Sequence, residues 1–473
     1  MRHKTLSFII FLQTIPTSIG YITPIVRSKS FHHDGIISSP QKYRNIATTL
    51  QASPISSSSE KEITLGAISS TIPELTKSLG GKGRAQLVWD CYKIGIDPAL
   101  FFSSTNSPPP LPTASLLSKF TTSFETHQDI LNLLPTSRQT QTLGKTALDA
   151  LANTYNGTVL EGGVASLSHL STSEDGTVKM LITLEQDGLE VESVIIPWFE
   201  RGWSTLCVSS QVGCRQGCTF CATGKMGLKR SLTTNEILAQ VFYAKKITRL
   251  FSSSSSNQNL PPDISNIVFM GMGEPTDNLS AVTRAISILT DETLFSFARQ
   301  QITLSTVAPS PQSFLRLKEV PAVLAWSIHA ANDVKRRQLV PTATYSVQEL
   351  KEALIEVLKG RCKNLQNVML EVALLNHVND SPEDALEMAN VAQDIIKAVD
   401  NPTMKLMVNL IPYNDTGGGI KYTKPSKERV LQYQEVLWKR GIYAHVRETR
   451  GDDESAACGQ LATRKRKERE VLL

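Results

Sequence analysis

Thr205-Leu206-Cys207-Val208-Ser209-Ser210-Gln211-Val212-Gly213-Cys214-Arg215-Gln216-Gly217-Cys218-Thr219-Phe220-Cys221 is the stretch on which the reading turns. A β-branched, apolar run opens it, and a loop with three cysteines spaced x3 then x2 follows. Three thiolates in a short loop can hold three corners of a 4Fe-4S cluster and leave the fourth iron open to a chelating ligand. A structural zinc site normally closes with four protein ligands. Cys207 is seven residues upstream of Cys214, and His169 is in another segment, so no fourth ligand is local. The spacing therefore favours a cluster over zinc.

Outward from this loop the chain alternates. Apolar runs stand at 205–209, 267–270, 302–305, 323–328, 368–373 and 406–411, with a last strand at 443–447. Helical patterns lie between them near 234–247, 279–289, 312–317, 347–358, 382–399 and 427–438. Six strand–helix units predict an α/β fold, a parallel sheet covered by helices and closed only in part, a partial (β/α)6 barrel. Ligand sites of such folds sit at the C-terminal ends of the strands. The unusual residues fall there. The cysteines follow the first strand, and Gly271-Met272-Gly273-Glu274-Pro275 follows the second. Ser305 closes the third, Ser327-Ile328-His329 closes the fourth, and Asn414 lies just past the sixth. Taken singly, each is ordinary: glycines make tight turns, and a lone histidine is usually structural. Their common position marks one site.

The 473 residues allow two or three domains at roughly 100–200 residues each. With 41% hydrophobic and 20% charged residues, the composition is that of a globular protein. Seven cysteines, three of them within eight residues, do not form a disulfide framework. The longest apolar run, Leu6–Leu12, is too short to span a bilayer, so no membrane partner is expected. Net charge is +5, and residues 1–59 carry all of it, with six basic residues against Asp34. Global charge thus gives no vote for nucleic acid.

Residues 1–59 read as a targeting segment: a basic start, a short apolar stretch, then a Ser/Thr-rich basic stretch. The combination is that of a bipartite plastid signal, with a mitochondrial transit peptide as the alternative. Residues 60–200 form a smaller unit, with helices at 63–79 and 84–94, a Pro-rich loop at 107–112, and a hairpin of strands 178–184 and 191–196 about Asp187-Gly188. The barrel takes 201–450, and 451–473 is a C-terminal loop with a basic tail. Ser252–Ser256 reads as a surface insertion.

Three strings carry a closer likeness: 205–214, Cys218-Thr-Phe-Cys-Ala-Thr-Gly-Lys-Met-Gly227, and Arg450-Gly-Asp-Asp-Glu-Ser-Ala-Ala-Cys458-Gly-Gln-Leu461. They resemble the RlmN-type adenine carbon-2 methyltransferases of the radical S-adenosylmethionine (SAM) superfamily, as an ordered series of motifs over roughly residues 65–470.

The resemblance implies a radical SAM barrel with the 4Fe-4S cluster on Cys214, Cys218 and Cys221. It implies SAM contacts from Gly273, Glu274, Ser305, Ser327, Ile328, His329 and Asn414. It further implies a route using two SAM per turnover. Cys458 takes a methyl from one SAM, and a radical from the second activates that methyl for attack on carbon 2. Glu192 removes the carbon-2 proton, with Glu190 as its competitor. Cys207 then attacks the Cys458 sulfur to release the product as a disulfide forms. Alone, each of these two cysteines would read as a small buried hydrophobe, as Cys91 and Cys362 still do.

The implied partners are large-subunit rRNA and tRNA beside the anticodon, an electron donor and a thiol reductant; the chain is read as a monomer. The N-terminal unit is read as an accessory RNA-binding domain. Basic runs at Lys225, Lys229 and Arg230, at Lys335–Arg337 and at Arg464–Lys467 are expected to track phosphates at the barrel mouth.

The chain departs from the pattern at Trp326, at Val307-Ala308 and in the Ser-rich insertion. None of these is expected to touch a ligand group, although Val307 borders the SAM pocket. Two other readings stay open: a carbon-8 adenine methyltransferase of the same superfamily, and a zinc-bound, non-catalytic RNA-binding protein.

Overall fold

In the computed structural model, residues 66–103, 126–154, 163–252, 260–416, 422–451, 456–457 and 459–461 are described. The targeting segment, the Pro-rich loop, most of the Ser-rich insertion, the basic C-terminal tail and Cys458 itself lie outside them.

Strands buried on both faces need unbroken apolar runs, and these supply the middle of the sheet. Val323–Trp326 is buried at every position, as are all of Ile302–Thr306. In chain order the strands are β1 (Ala165–Thr172), β2 (Val178–Leu184), β3 (Glu190–Trp198), β4 (Trp203–Cys207), the short pair β5 (Gln211–Val212) and β6 (Arg230–Ser231), β7 (Ile264–Phe269), β8 (Ile302–Thr306), β9 (Val323–Trp326), β10 (Val368–Leu374), β11 (Leu406–Pro412) and β12 (Tyr443–Val446). All but β5 and β6 join one sheet, ordered β1-β2-β3-β4-β7-β8-β9-β10-β11-β12. From β4 to β12 every neighbouring pair is parallel, whereas β1 to β4 are antiparallel.

The expected parallel sheet is therefore present, and each helix anticipated between its strands is there. Pro382–Val399 shows why. Ser381 caps it, exchanging bonds with Asp384 at 3.2 Å each way, and Pro382 has a preset φ. Ala385, Met388, Ala392 and Ile395 then bury one stripe.

Three features differ from the sequence expectation. The hairpin is a three-stranded meander, because β1 precedes it. The 63–79 helix starts at Ile72, after a short 3-10 turn at Ala67–Ser69. The 200/201 boundary falls in the turn Phe199–Arg201, and the sheet runs through it, because β3 pairs with β4 from Val194–Cys207 to Trp198–Trp203. The N-terminal helices pack on the outside of the barrel: Arg284 of the helix Leu279–Thr290 bonds Ser69 O at 2.8 Å and Glu74 at 2.7 Å. Among the described residues no helix is long and apolar enough to cross a membrane.

Candidate active site

The loop between β5 and the helix Ala222–Met226 carries Cys214, Cys218 and Cys221, all on the wall of one cavity at the C-terminal ends of the barrel strands. Burial pushes the Cys214 thiol up to about 12, with the Glu274 carboxylate and the Cys221 thiol adding to it. Cys218 is driven well above the ordinary thiol range by burial, and then by its two neighbouring thiols. Such a group ionises beside a compensating positive charge, which a metal centre supplies.

Among the described residues no three His, Cys, Asp or Glu side chains converge closely enough for a single metal ion. Zinc draws four ligands to within about 2.0–2.3 Å of one point, while an iron–sulfur cube takes one thiolate per corner iron. Three thiols on one wall suit one thiolate at each of three corner irons.

Next to this loop, the segment 208–211 is bonded along its length to the glycine turn after β7. Gly271 N donates to Val208 O at 3.0 Å, Met272 N to Ser209 Oγ at 2.8 Å, and Glu274 N to Gln211 Oε1 at 2.9 Å. A Cβ at Gly273, where φ is +100°, would stand 2.6 Å from Gln211 Cβ, so the close approach requires glycine. The turn thereby places the Glu274 carboxylate on the cavity wall, where burial raises its pKa. Thr276 N and Oγ1 donate to its Oε1 at 3.0 and 2.7 Å, and Val307 N donates to its Oε2 at 2.9 Å. Val307 therefore does touch a candidate ligand group, contrary to expectation, and it does so through backbone, which any residue there offers.

Ser305 and Ser327 share a 2.9 Å hydrogen bond on the same wall. His329, at φ +58°, is held by Asn379, which donates to His329 O at 2.7 Å and to Ala373 O at 2.8 Å. Its Nδ1 accepts from Ala373 N at 3.2 Å, which leaves the proton on Nε2. Burial, and then the Arg336 charge, press its pKa down to about 3, so it faces the cavity as a neutral ring. Asn414 lines the same wall and accepts from Thr449 Oγ1 at 3.0 Å. The structure thus gathers Gly273, Glu274, Ser305, Ser327, His329 and Asn414 around the three cysteines. Ile328 is apart: its side chain is fully buried and does not line the cavity, and its carbonyl accepts from Arg336 at 2.6 Å.

An adjoining cavity shares Cys221, Gly271, Asn414 and Gly459 with the first and has Cys207 in its wall. Ala457 and Gly459, the neighbours of Cys458 in the chain, line it too. Gly459 O accepts from Ala222 N at 2.8 Å, and Leu461 O from Thr223 Oγ1 at 2.5 Å. Glu192 lies on β3, two residues from the wall residue Val194, but lines neither cavity; its carboxylate is 3.4 Å from Lys179 Nζ.

The basic runs need correction. Arg336 is buried and donates to the carbonyls of Ser327, Ile328 and Val307, with Trp326 beneath its guanidinium at 5.7 Å. Lys335 pairs with Asp384 at 2.7 Å. Arg230 forks between Asp187 at 2.5 Å and Glu236 at 2.7 Å. Lys225 is exposed but donates to Thr416 Oγ1 at 2.9 Å, and Lys229 and Arg337 are exposed. Sequence reasoning missed Arg336 as a staple and Glu371 altogether. Glu371 is buried in the cavity wall, and burial raises its pKa. A lone carboxylate in the apolar run Val368–Leu374 was the available signal.

The sequence profile of the radical SAM superfamily matches residues 208–389. The dual-specificity RNA methyltransferase RlmN of Lawsonia intracellularis is 42% identical over 300 residues, 62% of this chain and 78% of that protein. The protein of the same name from Francisella tularensis subsp. novicida is 40% identical over 292 residues, 61% of this chain and 74% of that one. A crystal structure of a radical SAM methyltransferase from Sphaerobacter thermophilus superposes with a TM-score of 0.63 at 31% identity, covering 84% of this chain and 99% of that one.

Proposed function

The chain belongs to the RlmN family of radical SAM RNA methyltransferases, and on that footing we propose that it methylates carbon 2 of an adenosine in large-subunit rRNA and in tRNA beside the anticodon. One observation supports this reading above the others: Cys207, Cys221 and both chain neighbours of Cys458 share the wall of a single cavity. A base entering that cavity would meet Cys207, the loop that carries Cys221 and the chain neighbours of Cys458.

Cys214, Cys218 and Cys221 would hold the cluster, and SAM would lie against Glu274, Ser305, Ser327, His329 and Asn414. When bound, the pair supplies both the methyl group and the radical that carbon 2, an electron-poor ring carbon, requires. The protein's own residues do the rest. Cys458 carries the new carbon on its sulfur and so becomes joined to the RNA. Glu192 accepts the carbon-2 proton, and to do so its carboxylate, which lines neither cavity, must turn toward the base. Cys207 attacks the Cys458 sulfur and the carbon–sulfur bond breaks as a disulfide forms. The released carbon takes a proton to become the methyl group, the odd electron left by radical addition passes back to the electron carrier, and an external thiol reductant restores both thiols. The target base must be unstacked to reach a site this deep. Among the described residues of the basic runs, the exposed Lys229 and Arg337 can meet phosphates.

The test is mass spectrometry of nucleosides from cells with and without the protein. Loss of 2-methyladenosine is expected. Loss of 8-methyladenosine instead, or of neither, overturns the assignment. Iron and sulfide in anaerobically purified protein are expected in cluster stoichiometry; zinc without sulfide would restore the RNA-binding alternative.

The proposal extends to location. Residues 1–59 carry the whole net charge and one acid, which supports import into a plastid, with the mitochondrion as the alternative. Tagged full-length chain should enter the organelle, and a chain starting at Glu60 should stay in the cytosol. Equal distribution of the two would sink this part.

A further inference from the structure

Beyond Arg447, whose amide still donates to Leu410 O at 2.8 Å, the chain leaves the sheet at its edge strand β12 and runs to the N-terminal meander. Two contacts meet it there. The Arg450 guanidinium lies over the Trp198 ring of β3, 5.3 Å from its centroid. The Gly451 amide donates to Asp175 Oδ2 at 3.2 Å, in the turn between β1 and β2.

That turn is built to receive it. Ser173 N donates to Thr177 O at 2.8 Å, and Asp175 Oδ1 accepts from Thr177 N at 2.9 Å. One carboxylate therefore holds the turn with one oxygen and the incoming segment with the other. Gly451 is buried and has φ +71°, and a Cβ there would stand 3.0 Å from Thr177 Cγ2 and 2.9 Å from Ala456 Cβ. Ala456 N donates back to Gly451 O at 2.8 Å. The seat admits glycine alone without strain. Beyond it the described residues Ala456, Ala457, Gly459 and Leu461 all line the cavity that holds Cys207.

We propose that Asp175 is a positioning residue: from a turn outside the barrel, it sets the segment containing Cys458 against the cavity. The inference rests on the reading of Cys458 as the methyl carrier. It differs from that reading in assigning a role to the meander, whose turn lies 283 positions before Cys458 in the chain. The chemistry needs the cysteine to meet two partners in sequence, SAM and then the base. A segment anchored at Gly451 and again at Gly459 confines that travel to the residues between.

Asp175→Asn is the discriminating variant. An amide has one acceptor oxygen, so it can keep the bond from Thr177 N but must lose the bond from Gly451 N, or the reverse. A hydrogen bond to a charged acceptor biases an equilibrium roughly ten- to a hundredfold. In the full-length enzyme, D175N should speed amide hydrogen exchange in peptides covering 447–461 by about tenfold. The kcat for RNA methylation should fall by a similar factor with KM for RNA unchanged. Cluster absorbance and SAM cleavage without RNA should stay at wild-type level. Gly451→Ala should reproduce the pattern from the other side of the contact, and the double variant should be no worse than the worse single one.

Unchanged exchange in D175N overturns the inference, as does faster exchange with wild-type kcat. A fall in SAM cleavage alongside kcat would also overturn it, since that marks general damage. If the wild-type enzyme methylates no adenosine, the methylation reading fails, while the exchange measurement still decides whether Asp175 holds the segment.

Discussion

Ala222 and Gly459 are joined backbone to backbone, the amide of the residue after Cys221 donating to the carbonyl of the residue after Cys458 at 2.8 Å. The cluster loop and the C-terminal segment are thus fastened together one residue beyond Cys221 and one beyond Cys458. Proline at 222 would remove the donor yet suit the site, because Ala222 is the first residue of its helix and Cys221 before it is extended. Ala222→Pro is expected to keep iron and sulfide at wild-type content and to slow methyladenosine formation by roughly tenfold, the effect of one buried carbonyl left unpaired. A wild-type rate would show that the joint is dispensable.

Cys207 and Cys458 are expected to fail at different stages. Cys458→Ala has no sulfur to carry the new carbon and should yield neither product nor adduct. Cys207→Ala should form the enzyme–RNA link and be unable to break it, because no thiolate attacks the Cys458 sulfur. Denaturing electrophoresis should show RNA retained on protein for Cys207→Ala alone. Retention by Cys458→Ala would reverse the assigned roles.

Arg336 closes the C-terminal ends of β8 and β9 by donating to three carbonyls from inside the protein. Methionine keeps much of its length and none of its donors. Ile328 O keeps its bond from Ala330 N at 2.7 Å, so two carbonyls are orphaned, and at about 1–3 kcal/mol each Arg336→Met should lower unfolding free energy by about 2 kcal/mol or more. Urea denaturation measures it. A loss under about 1 kcal/mol would place Arg336 in an outward, solvated position.

Glu371 gives a pH signature. Burial raises its pKa in the folded protein above the ordinary 4.5, so the fold favours the neutral carboxyl. Below the unfolded value both states are protonated and nothing is lost. As pH climbs from there towards the folded value, the unfolded chain alone gives up its proton, and stability declines. Glu371→Gln removes that decline while keeping an oxygen for Asn409 Nδ2, now 3.2 Å from Glu371 Oε1. The melting temperature of the variant, relative to wild type, should therefore rise as pH climbs above the ordinary 4.5. A flat or falling difference would count against a buried, proton-holding Glu371.

The barrel was legible in the sequence because strands buried on both faces leave continuous apolar runs, and because the topology brings their C-terminal ends together. Cys214, Glu274, Ser327 and His329 are thus grouped by strand order alone. What escaped depends on contacts between distant segments. β1 reads Ala-Ser-Leu-Ser-His-Leu-Ser-Thr, and its pairing register shifts between Leu167 and His169, so no clean alternation announces a strand. Arg336 looked like one cation in a basic run, since the carbonyls it meets lie on separate strand ends. Glu192 reads as the proton acceptor from its string alone, and its distance of 3.4 Å from Lys179, diagonal to it across the β2–β3 ladder, and its place outside both cavity walls arise only in the folded chain. The Ala222–Gly459 joint uses only main-chain atoms and leaves no mark on composition.

The pairing of β3 with β4 has a consequence for how the catalytic half can be handled. Seven parallel strands that never meet at their ends leave two unpaired margins. At one, β12 is four residues long and followed by Arg447 and Glu448, short and charged enough to discourage a neighbour. At the other, β4 has a buried, apolar face and would present a bare ladder of amides and carbonyls, were it not roofed by the meander. A chain cut at residue 201 would uncover that ladder and should self-associate through it, precipitating at concentrations where the intact protein stays dispersed.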